Sequence, residues 1–409
     1  MKPLEEARAE VLSSVGLLDV EEVPIWEARG RILAGDVTAR ENVPPWANSA
    51  MDGFAVRGVD VADAGSVLDV IGDLPAGSIT DAEVGPGQAI KIMTGAPMPA
   101  GADTVVRVED TRVDGSSVTV TKPVETGTSV RPAGGDVAVD DVVFAAGTRL
   151  TPMHVGVLAT IGVGHPLVYR RPRVAFMSTG DELTPPESPG LAPGAIRDSN
   201  RPMLLSLLED IGVETVDLGL VPDDIAALRE ALDQGSKADV VVSTGGVSMG
   251  DYDVTKLVLQ GDARVDFWQV AIQPAKPFAF GHVGDALFFG LPGNPVSVLV
   301  SFEQFARPAL LKMQGARAIL RPQIVARAGE VFDTDPEKTV FVRVLVDGWE
   351  EGIPRVVRSG AQASNVLSSA AAADGFALVR RGTGQVGKGE EVTVEMFKWP
   401  ESREWADGR

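Results

Sequence analysis

Two loops, each following an apolar segment, carry the residue types best suited to chemistry on an anionic ligand. The first reads STGDEL (178–183) and the second reads STGGVSMGDYDVTK (243–256). Glycine removes side-chain bulk where a phosphate must lie against backbone amides, and neighbouring carboxylates can hold a metal ion. The loops therefore indicate a phosphate- and metal-binding site, although a helix N-terminus with acidic first-turn residues gives a similar pattern in the first loop.

The second loop also contains GVSMG, which matches the G-x-S-x-G nucleophile elbow of hydrolases. In that interpretation Ser248 is the nucleophile and His282 is the only downstream histidine. An elbow serine follows its strand within a residue or two and leads directly into an apolar helix, whereas here STG intervenes and DYD follows. The context therefore disfavours acyl transfer.

A third loop, GLPGNPVSVLVSF (290–302), places Pro295 at the start of an apolar helix. Asn294 stands just before that proline, where it can cap the helix. The loop is compatible with a ligand site and equally with a purely structural strand-to-helix turn.

Three polar segments lie further upstream: NSAMDGFAVR, IMTGAP and RPAGGDV, at 48–57, 92–97 and 131–137. They contain Asp52, Arg131 and Asp136, which are types that bind cations or oxyanions. Asp-Gly and Gly-Gly-Asp are also ordinary turn chemistry. Taken singly, each segment could be no more than a turn.

These loops need a scaffold, and the pattern from residue 172 to about 318 predicts one. RVAFM, ETVDLGL, DVVVS and ALFFGLP are typical of strands, and helices are predicted over 202–211, from Asp223 and from Pro295. This alternation indicates a parallel α/β domain. Because parallel strands present their binding loops at the same sheet edge, the two STG loops should share one crevice.

The chain before this domain has two other textures. The first forty residues look helical, with apolar residues at helical spacing (Leu4, Ala7, Val11 and Val15). Residues 50–140 alternate short β-branched runs with Gly, Pro and Asp turns, which predicts a small inserted β domain. A short helix should then begin at Thr151–Pro152 and end at Gly162.

After about residue 320 the strand pattern returns, with a single helical turn at 368–373, and predicts a small β barrel or sandwich. We therefore predict a multidomain α/β plus β protein. Its domains are a discontinuous N-terminal helical and linker domain (1–46 and 137–171), an inserted β domain (47–136), a three-layer parallel α/β domain (172–318) and a C-terminal β domain (319–400).

Composition excludes several classes of function. The 409 residues contain no cysteine, which removes disulfides, Fe–S clusters, thiolate zinc sites and cysteine nucleophiles. The 37 basic and 57 acidic residues give a net charge of −20, which repels nucleic acid and anionic membranes. The three histidines show no metal-ligand spacing. The N-terminus lacks the pattern of a signal peptide and no segment is apolar enough to span a membrane, so we expect a cytoplasmic protein.

Taken together, the segments resemble the MoeA and gephyrin E-domain family, the molybdopterin molybdenumtransferases. The resemblance covers most of the chain in one order: NSAMDGFAVR, IMTGAPMPAGADTVVRVED, STGDEL, IRDSN, STGGVSMGDYDVTK and LPGNPVS. Several rare motifs in register are far more specific than one Gly-rich loop. The family implies four domains and a homodimer whose active site lies between the β domain of one subunit and the α/β domain of the other.

The resemblance also implies which residues act. Asp52, Asp136 and Asp253 match acids expected to be catalytic around Mg²⁺ and molybdate, with Glu182 as a further metal ligand. The α/β domain is expected to bind adenylylated molybdopterin. The candidate substrate-binding residues are Ser49, Thr94, Arg131, Thr179, Gly180, Asp181, Glu182, Ser199, Asn200, Thr244, Gly245, Gly246, Ser248, Gly250, Lys256, Lys276, Pro292, Gly293, Asn294 and Pro295.

Two departures from the family pattern bear on activity. Where the family often reads K-P-G-K-P, this chain has Gln273-Pro274-Ala275-Lys276-Pro277, so Lys276 is the basic side chain that remains. The family's Gly-Glu-Asp becomes Gly134-Gly135-Asp136, which removes one carboxylate.

The departures keep a second hypothesis open. The gephyrin branch of the family uses its C-terminal β domain to bind partner peptides, so an interaction scaffold with weak or no transferase activity is the alternative. A third possibility, an adenylyltransferase like the related single-domain family, is disfavoured because that activity does not need the extra domains.

Overall fold

The computed structural model describes residues 1–246, 258–259 and 264–399. Its α-helices are α1 (Leu4–Ser13), α2 (Pro152–Thr160), α3 (Asn200–Asp210), α4 (Ile225–Gly235), α5 (Pro295–Ser301), α6 (Arg307–Met313) and α7 (Leu367–Ala372). A π-helical turn, Phe302–Ala306, joins α5 to α6.

The strands follow in chain order. They are β1 (Val20–Glu22), β2 (Val37–Thr38), β3 (Asn48–Ser49), β4 (Gly53–Val56), β5 (Val67–Leu74), β6 (Gln88–Ile92), β7 (Thr104–Arg107), β8 (Thr111–Asp114), β9 (Ser117–Val120), β10 (Val130–Arg131), β11 (Val142–Phe144), β12 (Leu167–Tyr169), β13 (Arg173–Thr179), β14 (Leu183–Thr184), β15 (Ile196–Arg197), β16 (Glu214–Val221), β17 (Val240–Thr244), β18 (Arg264–Gln269), β19 (Ile272–Gln273), β20 (Pro277–Val283), β21 (Ala286–Leu291), β22 (Gln323–Ala328), β23 (Phe332–Asp333), β24 (Thr339–Glu350), β25 (Ile353–Arg358), β26 (Gly375–Val379), β27 (Gln385–Val386) and β28 (Glu391–Met396).

The prediction of a helical first forty residues is wrong beyond α1. After that helix the chain forms β1 and β2, which pair with β12 and β11 from more than a hundred residues away. Pro24 and the glycines at 16, 30 and 35 interrupt any longer helix. These distant pairings join the two parts of the discontinuous N-terminal segment.

The β-rich segment forms one six-stranded sheet in the order β7-β4-β6-β5-β9-β8. Strands β5 and β6 are parallel and the other pairs are antiparallel. Alternating apolar residues bury on both sides of this sheet, in two clusters around Phe54 and Ile92. The prediction of strands in this region is confirmed.

The α/β domain contains a six-stranded sheet in the order β16-β13-β17-β21-β20-β18. The first four strands are parallel, as expected; β13, β17 and β21 are buried, whereas the edge strand β16 is mostly half-buried or exposed. Strands β20 and β18 extend the sheet through antiparallel pairings of β20 with β21 and of β18 with β20, and neither was predicted. Helices α3 and α4 begin within two residues of their expected starts.

The two faces of this sheet carry separate cores. One face packs against α4, through residues such as Leu228 and Leu232. The other packs against α3, α5 and α6, and the same cluster includes Leu4, Ala7 and Val11 of α1. The first helix of the chain therefore packs on the α/β domain.

The C-terminal strands close into a barrel. Neighbours run β24-β25-β22-β28-β26, and β26 pairs back with β24. Helix α7 forms at 367–372, where a single helical turn was expected. Strand β19 of the α/β domain pairs with β24, so hydrogen bonds join the barrel to that domain.

Among the residues that the structure describes, no helix is both long and apolar enough to cross a membrane.

Candidate functional site

The two STG loops lie against each other at the carboxyl edge of the parallel strands. Ser178 is the penultimate residue of β13 and Thr244 is the last residue of β17. Their hydroxyl oxygens lie 3.0 Å apart. The Thr179 hydroxyl donates to the Thr244 carbonyl over 3.3 Å. The two loops thus share one crevice, as the parallel strand pattern predicts.

Glycine is required where the loops approach most closely. Gly245 has a φ of 87°, and a Cβ atom built there would lie 2.5 Å from the Thr179 carbonyl oxygen. Gly180 has a φ of 143°, and a Cβ on it would lie 2.5 Å from the Glu182 carboxylate. A side chain at Gly245 would push against the backbone of the first loop, so this glycine sets the width of the crevice, whereas one at Gly180 would displace the end of the Glu182 side chain.

Asp198 holds this crevice together and was missed by the sequence analysis. Its carboxylate is 2% exposed and accepts hydrogen bonds from the Ser178 hydroxyl, the Asn200 and Arg201 amides and the Arg201 Nε, each at 3.1 Å. Its position directly before a Ser-Asn pair at a helix start was the available signal. The distant partner, Ser178, was not readable from the sequence.

Asn200 connects the IRDSN segment to the LPGNP turn. Its side-chain Nδ2 donates to the Gly293 carbonyl over 2.7 Å, and the side chain is 7% exposed. Ser199 and Asn294 precede α3 and α5 at the N-cap positions, but neither side chain makes a capping hydrogen bond. Asn294 therefore occupies the expected N-cap position without making the expected hydrogen bond. Residues 292–295 form a turn beside the crevice.

Three carboxylates gather at the mouth of the crevice. The Asp223 amide donates to Asp181 over 3.0 Å. Burial, followed by the nearby negative charges of Asp181 and Glu182, raises the pKa of Asp223. Asp181 and Glu182 are predicted site residues, whereas the sequence pattern indicates only a helix start at Asp223.

A cavity of about 310 Å³ lies between the α/β domain and the barrel. Its lining includes Lys276, Asn294, Lys338 and Ser364. Lys276 is exposed, whereas Lys338 is paired with Asp335 at 2.7 Å. The cavity thus offers the Lys276 ammonium and a hydroxyl to an oxyanion, together with a Lys338 ammonium whose charge is shared with Asp335.

Gln273 and Ala275, which differ from the K-P-G-K-P pattern that the resemblance implies, both lie in the wall of the same cavity. Gln273 supplies a neutral amide where the family often has a lysine. Ala275 adopts a φ of 78°, a left-handed conformation that costs a non-glycine residue roughly 1–2 kcal/mol. The backbone turn that carries Lys276 is therefore kept despite the loss of the glycine.

The three polar segments of the N-terminal region meet in a second cluster. Strand β10 pairs with β3, which sets Arg131 opposite Asn48 and Val130 opposite Ser49. The Gly95 amide donates to the Ser49 carbonyl over 2.8 Å. Ser49 itself is fully buried and its hydroxyl bonds to its own turn, so in this chain it positions the backbone.

Asp52 is the most strongly organised acid of this second cluster. One carboxylate oxygen accepts from both the Thr94 amide and the Thr94 hydroxyl, each over 2.7 Å. These two hydrogen bonds lower the pKa of Asp52 and keep it ionised. Asp136 is exposed on the neighbouring loop, where its amide donates to the Val43 carbonyl over 2.9 Å.

Four sequence candidates, Ser248, Gly250, Asp253 and Lys256, lie outside the described residues. In the described ranges, no group of three or more His, Cys, Asp or Glu side chains is arranged to hold a metal ion. Each of the two clusters, around Asp52 and around the STG loops, is held together by its own contacts.

Known proteins match this chain along nearly its whole length. Residues 2–162, 175–312 and 325–397 match the family descriptions "MoeA N-terminal region (domain I and II)", "Probable molybdopterin binding domain" and "MoeA C-terminal region (domain IV)". A molybdopterin molybdenumtransferase of Haemophilus influenzae is 37% identical, over 97% of this chain and 99% of that protein. One from Bacillus subtilis is 34% identical, over 98% and 96%.

The fold has solved counterparts as well. The crystal structure of a molybdopterin biosynthesis moeA protein from Pyrococcus horikoshii superposes with a TM-score of 0.83. It is 30% identical and covers 97% of this chain and 100% of its own.

Proposed function

The chain belongs to the molybdopterin molybdenumtransferase family, and on that premise we propose that it inserts molybdate into adenylylated molybdopterin with Mg²⁺ and releases AMP. The protein is an enzyme of molybdenum cofactor biosynthesis. The observation that supports the proposal best is the shared STG crevice beside the lysine-bearing cavity. We further propose that it works as a cytoplasmic homodimer.

The crevice is suited to the nucleotide end of the substrate. Gly180, Gly245 and Gly246 keep the loops free of side-chain bulk at the carboxyl ends of two parallel strands, where phosphates commonly bind, although the Gly180 and Gly245 amides themselves donate to the Val221 and Leu291 carbonyls. Thr179 and Thr244 are nearly buried beside them. We assign the pyrophosphate of adenylylated molybdopterin to this crevice.

The cavity beside the barrel is suited to the second substrate. Molybdate is a small dianion, and Lys276 and Lys338 supply positive charge in a cavity of about 310 Å³. Asn294 and Ser364 add neutral hydrogen-bonding groups. Because the chain carries a net charge of −20, an anionic substrate needs such a local basic pocket.

The donor set fits Mg²⁺, which usually takes one or two protein carboxylates and completes its shell with water and substrate phosphates. Thr94 fixes one oxygen of Asp52 and keeps the group ionised, which leaves the other oxygen for a cation. Asp136 is a second exposed carboxylate of the N-terminal region, on the loop that follows β10. When bound there, Mg²⁺ would neutralise charge on the pyrophosphate.

Side chains and backbone of this chain bind and position the two substrates. The glycine loops bind the pyrophosphate, the Asp198 network keeps their spacing, and Asn200 ties them to the Gly293 turn. Lys276 orients the oxyanion. The oxyanion and the nucleotide are thereby held close together, and positioning of two reactants is itself a large part of catalysis.

The acid cluster around Asp52 and the STG crevice are proposed to meet across a dimer, with each active site built from two subunits. The supporting argument is that Asp52, Thr94 and Arg131 cluster within the N-terminal β domain, while the crevice belongs to the α/β domain. A symmetric dimer would place the two kinds of cluster face to face twice.

The transferase proposal is tested by single-turnover conversion of adenylylated molybdopterin with Mg²⁺ and molybdate, following AMP and active cofactor together. Asp52→Asn should abolish both products, because it removes the ionised oxygen while keeping the hydrogen bonds to Thr94. Asp114→Asn, an exposed change in the same domain, is the matched control. Full activity of Asp52→Asn would refute the assigned role.

The inter-subunit site is tested by mixing Asp52→Asn and Lys276→Gln chains and letting the subunits reassort. Half of the dimers would then be mixed, and each mixed dimer would have one of its two sites free of both changes. At a molybdate concentration low enough that each homodimeric variant is inactive, activity should therefore return to about a quarter of the wild-type value. No recovery in dimers shown to have exchanged subunits would place the active site within one chain.

The relatives described above are named as enzymes, and they do not support the alternative of an interaction scaffold.

A further inference from the structure

A cavity of about 320 Å³ lies at the sheet edge opposite the STG crevice. Its lining includes Arg170, Arg171, Arg173, Lys237 and Asp239. Arg173 begins β13 and Asp239 directly precedes β17, so the cavity is at the amino ends of the strands whose carboxyl ends carry the crevice. A strand of seven residues spans about 20 Å, so the two sites are well separated.

Arg170 and Asp239 form an ion pair with each other at the floor of this cavity. Both terminal nitrogens of Arg170 donate to Asp239 over 2.7 Å, and the Arg173 amide donates to the same carboxylate over 2.7 Å. Although burial opposes it, these hydrogen bonds hold the pKa of Asp239 below its ordinary value. Arg170 and Asp239 therefore form a fixed, neutral floor for the cavity.

Two further lining residues, Glu21 and Lys237, form ion pairs with residues outside the cavity. Glu21 pairs with Arg31 and so offers little negative charge to the cavity. Lys237 lies 3.5 Å from Asp233, but both are largely exposed, and surface pairs of this kind contribute little. The Lys237 ammonium remains available to a ligand.

The positive charges then outnumber the negative ones. Arg171 has a buried Nε without a hydrogen-bond partner, and in the described part of the chain neither Arg171 nor Arg173 has a side-chain ion pair within 4.0 Å. Together with Lys237 they make three cations, and Glu214 is the one lining acid left to face them. On a chain with a net charge of −20, a cationic pocket of this kind is a local exception.

We propose that this cavity binds the phosphate group of a small molecule, or free phosphate, through Arg171, Arg173 and Lys237. Planar guanidinium groups match phosphate oxygens with paired hydrogen bonds, and the lysine adds a mobile point charge. The volume of about 320 Å³ suits a small anion. Because Glu21 comes from the N-terminal segment and the arginines lead into β13, a bound phosphate would also brace the two parts against each other.

The test measures phosphate binding by calorimetry at constant ionic strength, with inorganic phosphate and β-glycerophosphate as probes. The full chain carries Lys276→Gln as background, so that the proposed molybdate cavity does not contribute, and any binding at the STG crevice is common to both variants and cancels in their difference. Arg173→Gln with Lys237→Gln is the test variant, because it keeps the Arg170–Asp239 pair and the Arg173 amide. Arg112→Gln with Lys388→Gln, exposed positions elsewhere, is the charge-matched control.

We expect the test variant to bind the probes about tenfold more weakly, as loss of two charge-assisted contacts implies, and the control to bind as the background does. Binding of inorganic phosphate identifies the free ion as sufficient, and binding of the ester alone identifies an organic phosphate. Equal binding by test and control variants would overturn the proposal, as would the absence of binding at millimolar probe. Neither result bears on turnover, so the outcome is independent of the proposed function.

Discussion

Replacing Gly245 by alanine tests whether the spacing of the two STG loops matters to the reaction, once the backbone strain that any side chain at a positive φ causes is accounted for. The new Cβ would lie 2.5 Å from the Thr179 carbonyl oxygen, whereas ordinary contact begins at 3.4 Å. The STG loops must therefore move apart by roughly 0.9 Å, and the φ of 87° adds about 1–2 kcal/mol of backbone strain. A displacement of about 1 Å at a reacting site costs on the order of a hundredfold in rate.

Gly212→Ala is the matched control. Gly212 has a φ of 72°, but a Cβ there meets nothing within 4 Å, and it precedes β16 at the far edge of the sheet. Both variants should lose about 1–2 kcal/mol of unfolding free energy from backbone strain, with about 1–3 kcal/mol more for Gly245→Ala from overpacking.

The assay combines urea unfolding, AMP binding by calorimetry and single-turnover AMP release, all under conditions where each variant is fully folded. We expect Gly245→Ala to bind AMP weakly and to turn over about a hundredfold more slowly, with Gly212→Ala close to wild type. Equal turnover of the two variants would show that the spacing of the STG loops does not matter to the reaction.

Three other changes probe the remaining contacts. Asn200→Ala should lower the unfolding free energy by about 1 kcal/mol and weaken AMP binding, since it removes the 2.7 Å bond to Gly293; unchanged AMP affinity would exclude a role in the crevice. Asp223→Asn should stabilise the protein at neutral pH, because burial and Asp181 raise the pKa of Asp223 and so disfavour its ionised form. This gain in unfolding free energy should vanish below pH 3.8, where the carboxyl is protonated in both the folded and the unfolded state. It would be absent at every pH if the acids do not repel. Lys276→Gln should raise the molybdate KM without changing AMP affinity, and a fall in AMP affinity instead would move Lys276 to the nucleotide site.

Much of the α/β domain was predictable because its signals are local. Apolar runs marked the parallel strands, most clearly β13, β17 and β21, and the rule for parallel sheets is enough to predict that Ser178 and Ser243 lie at the same sheet edge. Strands β18 and β20 were missed because their apolar residues are interrupted, by Asp266 in β18 and by Gly281 in β20, and so resemble a loop as much as a strand. Their directions in the sheet depend on the pairing of β20 with β21 and of β18 with β20.

The candidate site was predictable as a set of loops, and the acids within it only in part. Asp181 and Asp52 stood in recognisable motifs. Asp198 and Asp223 did not stand out, because their roles come from burial and from neighbours that are distant in the chain. Asp253 stays a prediction.

The sequence alone determined the order of elements, the identity of the glycine loops, the negative charge of the chain and, through its motifs, the family. These depend on residue type and spacing within short windows. Only the tertiary structure decided that α1 packs on the α/β core, that β1 and β2 pair with β12 and β11, and that Asn200 reaches Gly293. Those contacts join residues about a hundred positions apart or more, where no local pattern constrains the partner and only the packed fold selects it.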